Sequence, residues 1–210
     1  MENQIQNSEV VARKIIGLTG GIGSGKSTVA KFIEEMGFPV YYSDVRAKDI
    51  VNDDEVLRHK IKALLGEESY NVNGLYDRKF VSGVVFNDEE ILLKLNALIH
   101  PAVKLDFENW VARQNTPFVF KETALLFELK LNESCYKSVL VTADDNIRIK
   151  RVMDRDSKTY REIEAVMDKQ MPEKDKVRRA DFIIYNNSGI EELKVETEKM
   201  LVKLTTALIQ

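Results

Sequence analysis

The stretch from residue 20 to residue 28 reads Gly20-Gly21-Ile22-Gly23-Ser24-Gly25-Lys26-Ser27-Thr28. It fits the pattern G-x-x-x-x-G-K-[ST], in which glycines let the backbone curve so that its N–H groups point inward at an anion. A short apolar run typical of a buried strand precedes it, at Lys14–Thr19. Apolar residues at helical spacing follow it, and these are Val29, Phe32, Ile33 and Met36. A strand, a glycine loop and a helix in this order predict a phosphate cradle that binds a nucleoside triphosphate.

The polar residues of this Walker A motif have predicted roles that follow from their chemistry. Lys26 supplies a mobile positive charge for the β- and γ-phosphates, and the Ser27 hydroxyl is predicted to bind Mg²⁺. The helix that begins near Gly25 adds unpaired N–H groups and the positive end of its dipole. The predicted nucleotide-binding residues of the motif are Gly21, Ile22, Gly23, Ser24, Gly25, Lys26, Ser27 and Thr28.

The composition limits the class of protein. The chain has 210 residues, 44% hydrophobic and 31% charged, which is typical of one globular domain with room for an inserted subdomain. A net charge of -3 argues against bulk electrostatic binding to nucleic acid. No apolar run approaches the roughly 18 residues of a membrane helix, and residues 1–9 are too polar for a signal peptide. The single cysteine suits a reducing compartment. We therefore expect a cytoplasmic protein, a monomer or weak homo-oligomer, whose first dozen residues form a loose tail.

Five short apolar runs alternate with helical patterns, which predicts a three-layer α/β fold around a five-stranded parallel sheet. The runs lie at residues 14–19, 38–42, 117–120, 137–142 and 181–185. Residues 48–111 are mostly helical and far exceed an ordinary connection, so they predict an inserted helical subdomain that binds the second substrate. His100-Pro101 is expected to interrupt the helical pattern, with Pro101 in the first turn of the next helix.

Acidic residues follow two of the predicted strands, at the edge of the sheet where ligands bind in open α/β folds. Asp44, after the second strand, is a candidate catalytic base or metal ligand, and it is also a candidate helix N-cap. Glu122, after the third strand, resembles the Walker B acid that holds Mg²⁺, although strands that end in an acid are common.

A basic segment follows the fourth strand. Arg148, Arg151 and Arg155 are spaced at i, i+3 and i+7, so they share one helix face. That face is either solvated or belongs to a lid over residues 144–170 that closes over the triphosphate and excludes water.

These motifs, in this order, resemble the dephospho-CoA kinase family over about residues 14–193. Besides the Walker A motif and Asp44, the resemblance rests on Leu75-Tyr76-Asp77-Arg78, Val85-Phe86, Ile99-His100-Pro101, Leu125-Leu126-Phe127-Glu128, Arg151-Val152-Met153-Asp154-Arg155-Asp156, Gln170, Ala180-Asp181 and Asn186. The chain departs from the family pattern at four positions. Tyr42 stands where the family has an acid and Lys48 where it has an arginine. Ala124 stands in place of a proline and Arg148 in place of a glutamine.

The resemblance implies a P-loop NTPase fold of the nucleoside-monophosphate-kinase type. It also implies Mg²⁺-dependent transfer of phosphate from ATP to the ribose 3′-hydroxyl of dephospho-CoA, the last step of coenzyme A biosynthesis. By the same resemblance Asp44 is the base, Arg151 and Arg155 face the phosphates, and Asn186 lies near adenine. Arg78 and His100 line the acceptor side together with Asp44. The catalytic residues implied are Lys26, Asp44 and Arg155.

Other functions are open on the sequence alone. Another small-molecule kinase of the same scaffold would act on a nucleoside, a nucleotide or a sugar acid. A nucleotide-dependent switch ATPase would turn over ATP without any acceptor. A degenerate nucleotide-binding module would lack the catalytic groups, whereas the main ones are present here.

Overall fold

Five strands form one sheet, ordered β2-β3-β1-β4-β5. The structure is a computed structural model that describes residues 13–86 and 88–209, with side chains described as far as residue 207. The tail expected for the first dozen residues lies outside the described part. The strands are β1 (Lys14–Thr19), β2 (Val40–Tyr42), β3 (Phe118–Glu122), β4 (Lys137–Thr142) and β5 (Phe182–Tyr185). The pairings of β1 with β3 and β4, and of β4 with β5, are parallel. The predicted α/β fold with a five-stranded parallel sheet is confirmed.

The central strands are buried along nearly their whole length. β1, β3 and β4 are continuous apolar runs, as expected for strands covered on both faces by helices. The residues that are at most 1% exposed include Ile16, Leu18, Phe118, Val119, Phe120, Val139, Leu140 and Val141. β1 and β4 have the predicted bounds, whereas β2 begins two residues later than predicted. Pro39 has no N–H to donate to a strand ladder, so it only accepts a hydrogen bond, from the Phe120 N–H at 2.9 Å.

The chain divides into two compact units. The first consists of the residues up to Val40 and those from Gln114 onward, and the second of Tyr41–Arg113. The first unit contains most of the sheet and the helices α1 (Lys26–Glu35), α6 (Asp145–Asp156), α7 (Tyr160–Met167), α8 (Glu173–Arg179) and α9 (Ile190–Ile209). The second unit contains the segment predicted to form the acceptor-binding insertion, and that binding role stays a prediction.

The second unit is helical and has its own core. Its helices are α2 (Ser43–Asp53), α3 (Glu55–Leu65), α4 (Arg78–Phe86) and α5 (Glu89–Ala112). Its buried cluster contains Ile50, Val51, Leu57, Ile61, Tyr70, Val81 and Leu95. A polar network joins α2 to α5, since Asp106 accepts hydrogen bonds from the Arg46 Nη2 at 2.9 Å and from the Tyr41 hydroxyl at 2.7 Å. The Arg46 guanidinium is the main cause that lowers the pKa of the Asp106 carboxyl.

The expected interruption at His100-Pro101 is wrong. Pro101 lies inside the continuous helix α5, which runs for 24 residues. A proline removes only one helical hydrogen bond, and tertiary packing offsets that loss. Leu95 on one side of Pro101 and Phe107 on the other are both buried, so the helix is held on either side of the missing bond.

Asp44 lies in the first turn of α2 instead of capping it. The helix begins at Ser43, directly after β2, and its N-cap residue is Tyr42. The N-cap alternative for Asp44 is therefore wrong, although an acid in the first turn still interacts favourably with the helix dipole. None of the helices in the described part of the chain is both long and apolar enough to cross a bilayer.

Candidate active site

The Walker A motif forms a loop between β1 and α1, and we call residues 20–25 the phosphate loop. Gly23 and Gly25 have left-handed backbone conformations, with φ of 78° and 93°. A side chain at Gly23 would collide with the backbone carbonyl of Arg148, and one at Gly25 with the Asn186 side-chain amide. Only glycine meets both demands, the positive φ and the close approach of a neighbour. The loop therefore takes its shape from these positions and leads into the helix N-terminus at Lys26.

Lys26 and Glu122 form a nearly buried ion pair beside the phosphate loop. The Lys26 Nζ contacts Oε1 of Glu122, and the two side chains are 12% and 7% exposed. Glu122 is the last residue of β3, which places its carboxylate at the edge of the sheet where ligands bind in such folds. A buried carboxylate requires a partner of opposite charge. Lys26 therefore has a fixed position next to the loop, from which an incoming phosphate can attract it.

A small cavity lies on the α9 side of the phosphate loop. Its volume is about 230 Å³, and its lining includes Gly25, Thr28, Arg151, Asn186, Ile190 and Leu193. The Asn186 amide is oriented by two hydrogen bonds, because its Nδ2 donates to the Ser24 carbonyl at 2.8 Å and its Oδ1 accepts from Arg151 Nη2 at 3.2 Å. Two predicted nucleotide-binding residues, Arg151 and Asn186, are thus brought together at one cavity beside the loop.

The predicted lid segment consists of α6 and α7. A cluster of Ile149, Val152 and Ile163 joins the two helices, and Ile22 of the phosphate loop packs against it. Arg155 lies near the end of α6, with a side chain that is 65% exposed and paired with the adjacent Asp156. An exposed arginine on this segment has the freedom to move toward a bound nucleotide.

Arg148 is buried, so the solvated alternative for the face that it was predicted to share with Arg151 and Arg155 is wrong at this residue. Its side chain is only 3% exposed, and its Nε donates to the Ile22 carbonyl at 3.0 Å. Its Nη1 bonds to Asp145 at 3.1 Å and to Glu173 at 3.3 Å. Arg148 is buried because it packs against the phosphate loop, whereas Arg155, in the last turn of α6, is exposed.

The residues near the phosphate loop fit a magnesium ion that arrives with the nucleotide. Ser27 is an exposed hydroxyl in the first turn of α1, and Glu122 provides a carboxylate at the adjacent strand end. Among residues 13–86 and 88–209 there is no cluster of three or more His, Cys, Asp or Glu suited to hold a metal by itself. Mg²⁺ usually keeps several waters and binds through one or two protein groups and substrate phosphates. The available donors agree with that mode of binding.

Comparison with known proteins identifies the family. The family model described as dephospho-CoA kinase matches residues 14–192. The chain belongs to the dephospho-CoA kinase family. A dephospho-CoA kinase from Geobacillus kaustophilus is 40% identical over 182 residues, which cover 85% of this chain and 90% of that protein. The crystal structure of a Thermus thermophilus protein is 34% identical, with a TM-score of 0.81 over 91% of this chain and 98% of that one. The dephospho-CoA kinase from Campylobacter jejuni is 25% identical, with a TM-score of 0.69 over 93% and 99%.

Membership of the dephospho-CoA kinase family confirms the predicted resemblance and the prediction that the chain is a kinase. The three residues implied on the acceptor side of this kinase all lie in the second unit. Asp44 is in the first turn of α2, Arg78 is the first residue of α4, and His100 is in α5; all three side chains are exposed. Their roles stay predictions.

Two residues that contact the phosphate loop were missed as site residues. Arg148 and Gln170 both hydrogen-bond to Ile22, the latter accepting from the Ile22 N–H at 3.2 Å. Gln170 is one of the residues on which the predicted resemblance rests, and Arg148 is one of the predicted departures from the family pattern. Neither of these sequence observations predicts that both side chains contact Ile22. That contact depends on tertiary structure.

Proposed function

We propose that this chain phosphorylates dephospho-CoA with ATP, transferring the γ-phosphoryl group to the ribose 3′-oxygen and releasing ADP. The observation that carries the proposal is the phosphate loop at the start of α1, with Lys26 beside it, in a chain matched by the dephospho-CoA kinase model over residues 14–192. The phosphate loop supports the nucleotide-binding part of the proposal, and membership of the dephospho-CoA kinase family supports dephospho-CoA as the acceptor.

The phosphate loop and Lys26 bind the donor. Backbone N–H groups of the loop and of the first turn of α1 point at an anion and need no rearrangement during the reaction. Lys26 exchanges its contact with Glu122 for the β- and γ-phosphates when ATP binds. Ser27 and Glu122 would hold a Mg²⁺ ion, which would neutralise charge on the phosphates. Arg151 and Asn186 bind the nucleoside end at the cavity beside Gly25.

Two further groups act on the transferring phosphoryl group. Arg155 moves from Asp156 to the equatorial oxygens as the lid closes, where a positive charge stabilises the loose transition state. Asp44 orients the 3′-hydroxyl and accepts its proton as the new P–O bond forms and the bond to the ADP oxygen breaks. Arg78 and His100 bind the acceptor and keep its ribose in place.

A coupled assay for ADP tests the proposal. With ATP and Mg²⁺, ADP release should require dephospho-CoA, and adenosine or shikimate should be much poorer acceptors because they lack the pantetheine and pyrophosphate groups that supply binding energy for orientation. ADP release at the same rate without any acceptor would point to a switch ATPase instead. The cytoplasmic location and the monomeric or weakly associated state expected from the sequence stay predictions.

A further inference from the structure

One residue of the phosphate loop, Ile22, is held from three directions by the segment that carries the lid. Its carbonyl accepts a hydrogen bond from Arg148 Nε at 3.0 Å, and its N–H donates to Gln170 Oε1 at 3.2 Å. Its side chain packs against the cluster of Ile149, Val152 and Ile163. Both peptide groups that flank Ile22 are therefore fixed by side chains from outside the loop.

The loop residues on either side of Ile22 contact the same arginine. A side chain at Gly21 would collide with the Arg148 guanidinium, and one at Gly23 with the Arg148 backbone carbonyl. Three consecutive loop residues thus lie directly on the first turn of α6. A displacement of Arg148 cannot leave the loop backbone unchanged, because no space separates them.

The two side chains that hold Ile22 are themselves anchored. Arg148 is 3% exposed and is bonded to Glu173 of α8 as well as to Asp145. The segment that contains Gln170 is tied to the loop after β3, because the Met171 N–H donates to Glu128 Oε1 at 2.8 Å. Glu128 also lies 3.4 Å from the fully buried Nζ of Lys176. Because Arg148 and Gln170 are held in place, they fix the position of the Ile22 peptide groups. Mobile side chains would only form transient hydrogen bonds with them.

We propose that Arg148 and Gln170 form a clamp on Ile22 that positions the phosphate loop relative to the lid arginines. Arg155 is seven residues after Arg148 on the same helix, roughly 10 Å along its axis. Fixing the first turn of α6 to the loop therefore sets where Arg151 and Arg155 stand with respect to the bound phosphates. Arg148 and Gln170 are positioning residues, since they act through Ile22 and α6.

The predicted effect of the clamp on catalysis rests on the proposed function. Its effect on the mobility of the phosphate loop does not, and it can be measured without dephospho-CoA. Arg148→Met keeps the length of the aliphatic chain and removes all its hydrogen bonds, and Gln170→Leu removes the acceptor for the Ile22 N–H. Lys150→Met is the matched control, because it replaces an exposed cation on the same helix by the same residue.

Hydrogen exchange of the unliganded protein and steady-state kinetics form the test. Both clamp variants should speed amide exchange at residues 21–24 and lower kcat/KM for ATP by about 10- to 100-fold, with the KM for dephospho-CoA unchanged. Arg148→Lys retains one donor for the Ile22 carbonyl and should restore part of the loss. The double variant should lose less than the product of the two single losses, because both side chains restrain one residue.

A purely structural role would give a different result. The proposal is overturned if the variants melt at lower temperature but match Lys150→Met within about twofold in loop exchange and in kcat/KM. If the Arg148→Met variant does not fold, the Gln170→Leu variant, at a half-buried position, tests the proposal by the same two measurements. A failure of the proposed function would appear separately, as a wild-type enzyme that leaves dephospho-CoA unmodified while the exchange results remain interpretable.

Discussion

Lys26, the first residue of α1, and Glu122, the last residue of β3, are in direct contact, and both side chains are nearly buried. The residue expected to bind phosphate and the residue expected to bind Mg²⁺ are therefore partners of each other in this structure. Each needs the other because an unpaired charge in this position is costly. Nucleotide binding must replace this contact by phosphate and metal contacts of at least equal strength.

Replacement of Lys26 by Ala should lower kcat by on the order of 10³ or more, because a positive charge that tracks the transferring phosphoryl group is lost. The variant should also unfold more easily, by about 3 kcal/mol, since Glu122 is left buried without its partner. The double variant Lys26→Ala/Glu122→Gln should regain much of the stability and none of the activity. Denaturant titration and kcat measurement separate the two effects, with Lys31→Ala on the exposed side of α1 as the control. A Lys26→Ala enzyme within tenfold of wild type would rule out the assigned role.

Replacement of Arg155 by Ala should lower kcat more than it weakens ATP binding. The side chain is exposed and paired with Asp156 in this structure, so we expect it to contact phosphate only when the lid closes. Calorimetric titration with a non-hydrolysable ATP analogue and single-turnover kinetics measure the two quantities. Arg161→Ala on α7 is the control for loss of an exposed arginine from the lid. Collapse of nucleotide affinity with an unchanged kcat would show instead that Arg155 binds the ground state.

Replacement of Asp44 by Asn should leave binding of ATP and dephospho-CoA nearly normal and reduce kcat roughly 10²- to 10⁴-fold. Asparagine preserves the shape of the side chain but cannot accept the proton of the 3′-hydroxyl. Asp53→Asn, which alters an exposed acid on the same helix, should keep wild-type kinetics. Equal kcat values for the two variants would remove Asp44 from the catalytic residues.

The stability of the protein should depend on pH through Asp106. The Arg46 guanidinium, helped by the Tyr41 hydroxyl and opposed by burial, lowers the pKa of this carboxyl below its ordinary value of 3.8. A carboxyl with a lowered folded-state pKa stabilises the fold above its unfolded-state value and loses that contribution as the pH falls through the folded-state pKa. Asp106→Asn should therefore cost about 1–2 kcal/mol near neutral pH and progressively less as the pH falls below 3.8 toward the folded-state pKa.

Melting temperatures measured between pH 3 and pH 7 test this dependence. Glu108→Gln removes an exposed ion pair from the same helix and should shift the melting temperature little at any pH. A difference between wild type and Asp106→Asn that stays constant over the whole range would contradict the assigned pairing.

The sheet was predictable from the sequence because its central strands are apolar runs buried along most of their length, as β1 and β4 illustrate with bounds identical to the prediction. The continuity of α5 through Pro101 could not be predicted in this way. The tendency of proline to interrupt a helix is outweighed here by packing on both sides of it. The phosphate loop was predictable because its glycines and Lys26 are adjacent in sequence. The clamp on Ile22 was not, since Arg148 and Gln170 are 126 and 148 residues away along the chain and meet only through tertiary folding.

The position of the new phosphate in the product tests the central claim most directly. The enzyme is incubated with ATP, Mg²⁺ and dephospho-CoA, and the product is examined by mass spectrometry and phosphorus NMR. We predict a mass increase of one phosphate and one new monoester signal assigned to the ribose 3′-oxygen. A new diphosphate signal, a phosphate at any other oxygen, or ADP formation with dephospho-CoA left unmodified would contradict the proposed reaction.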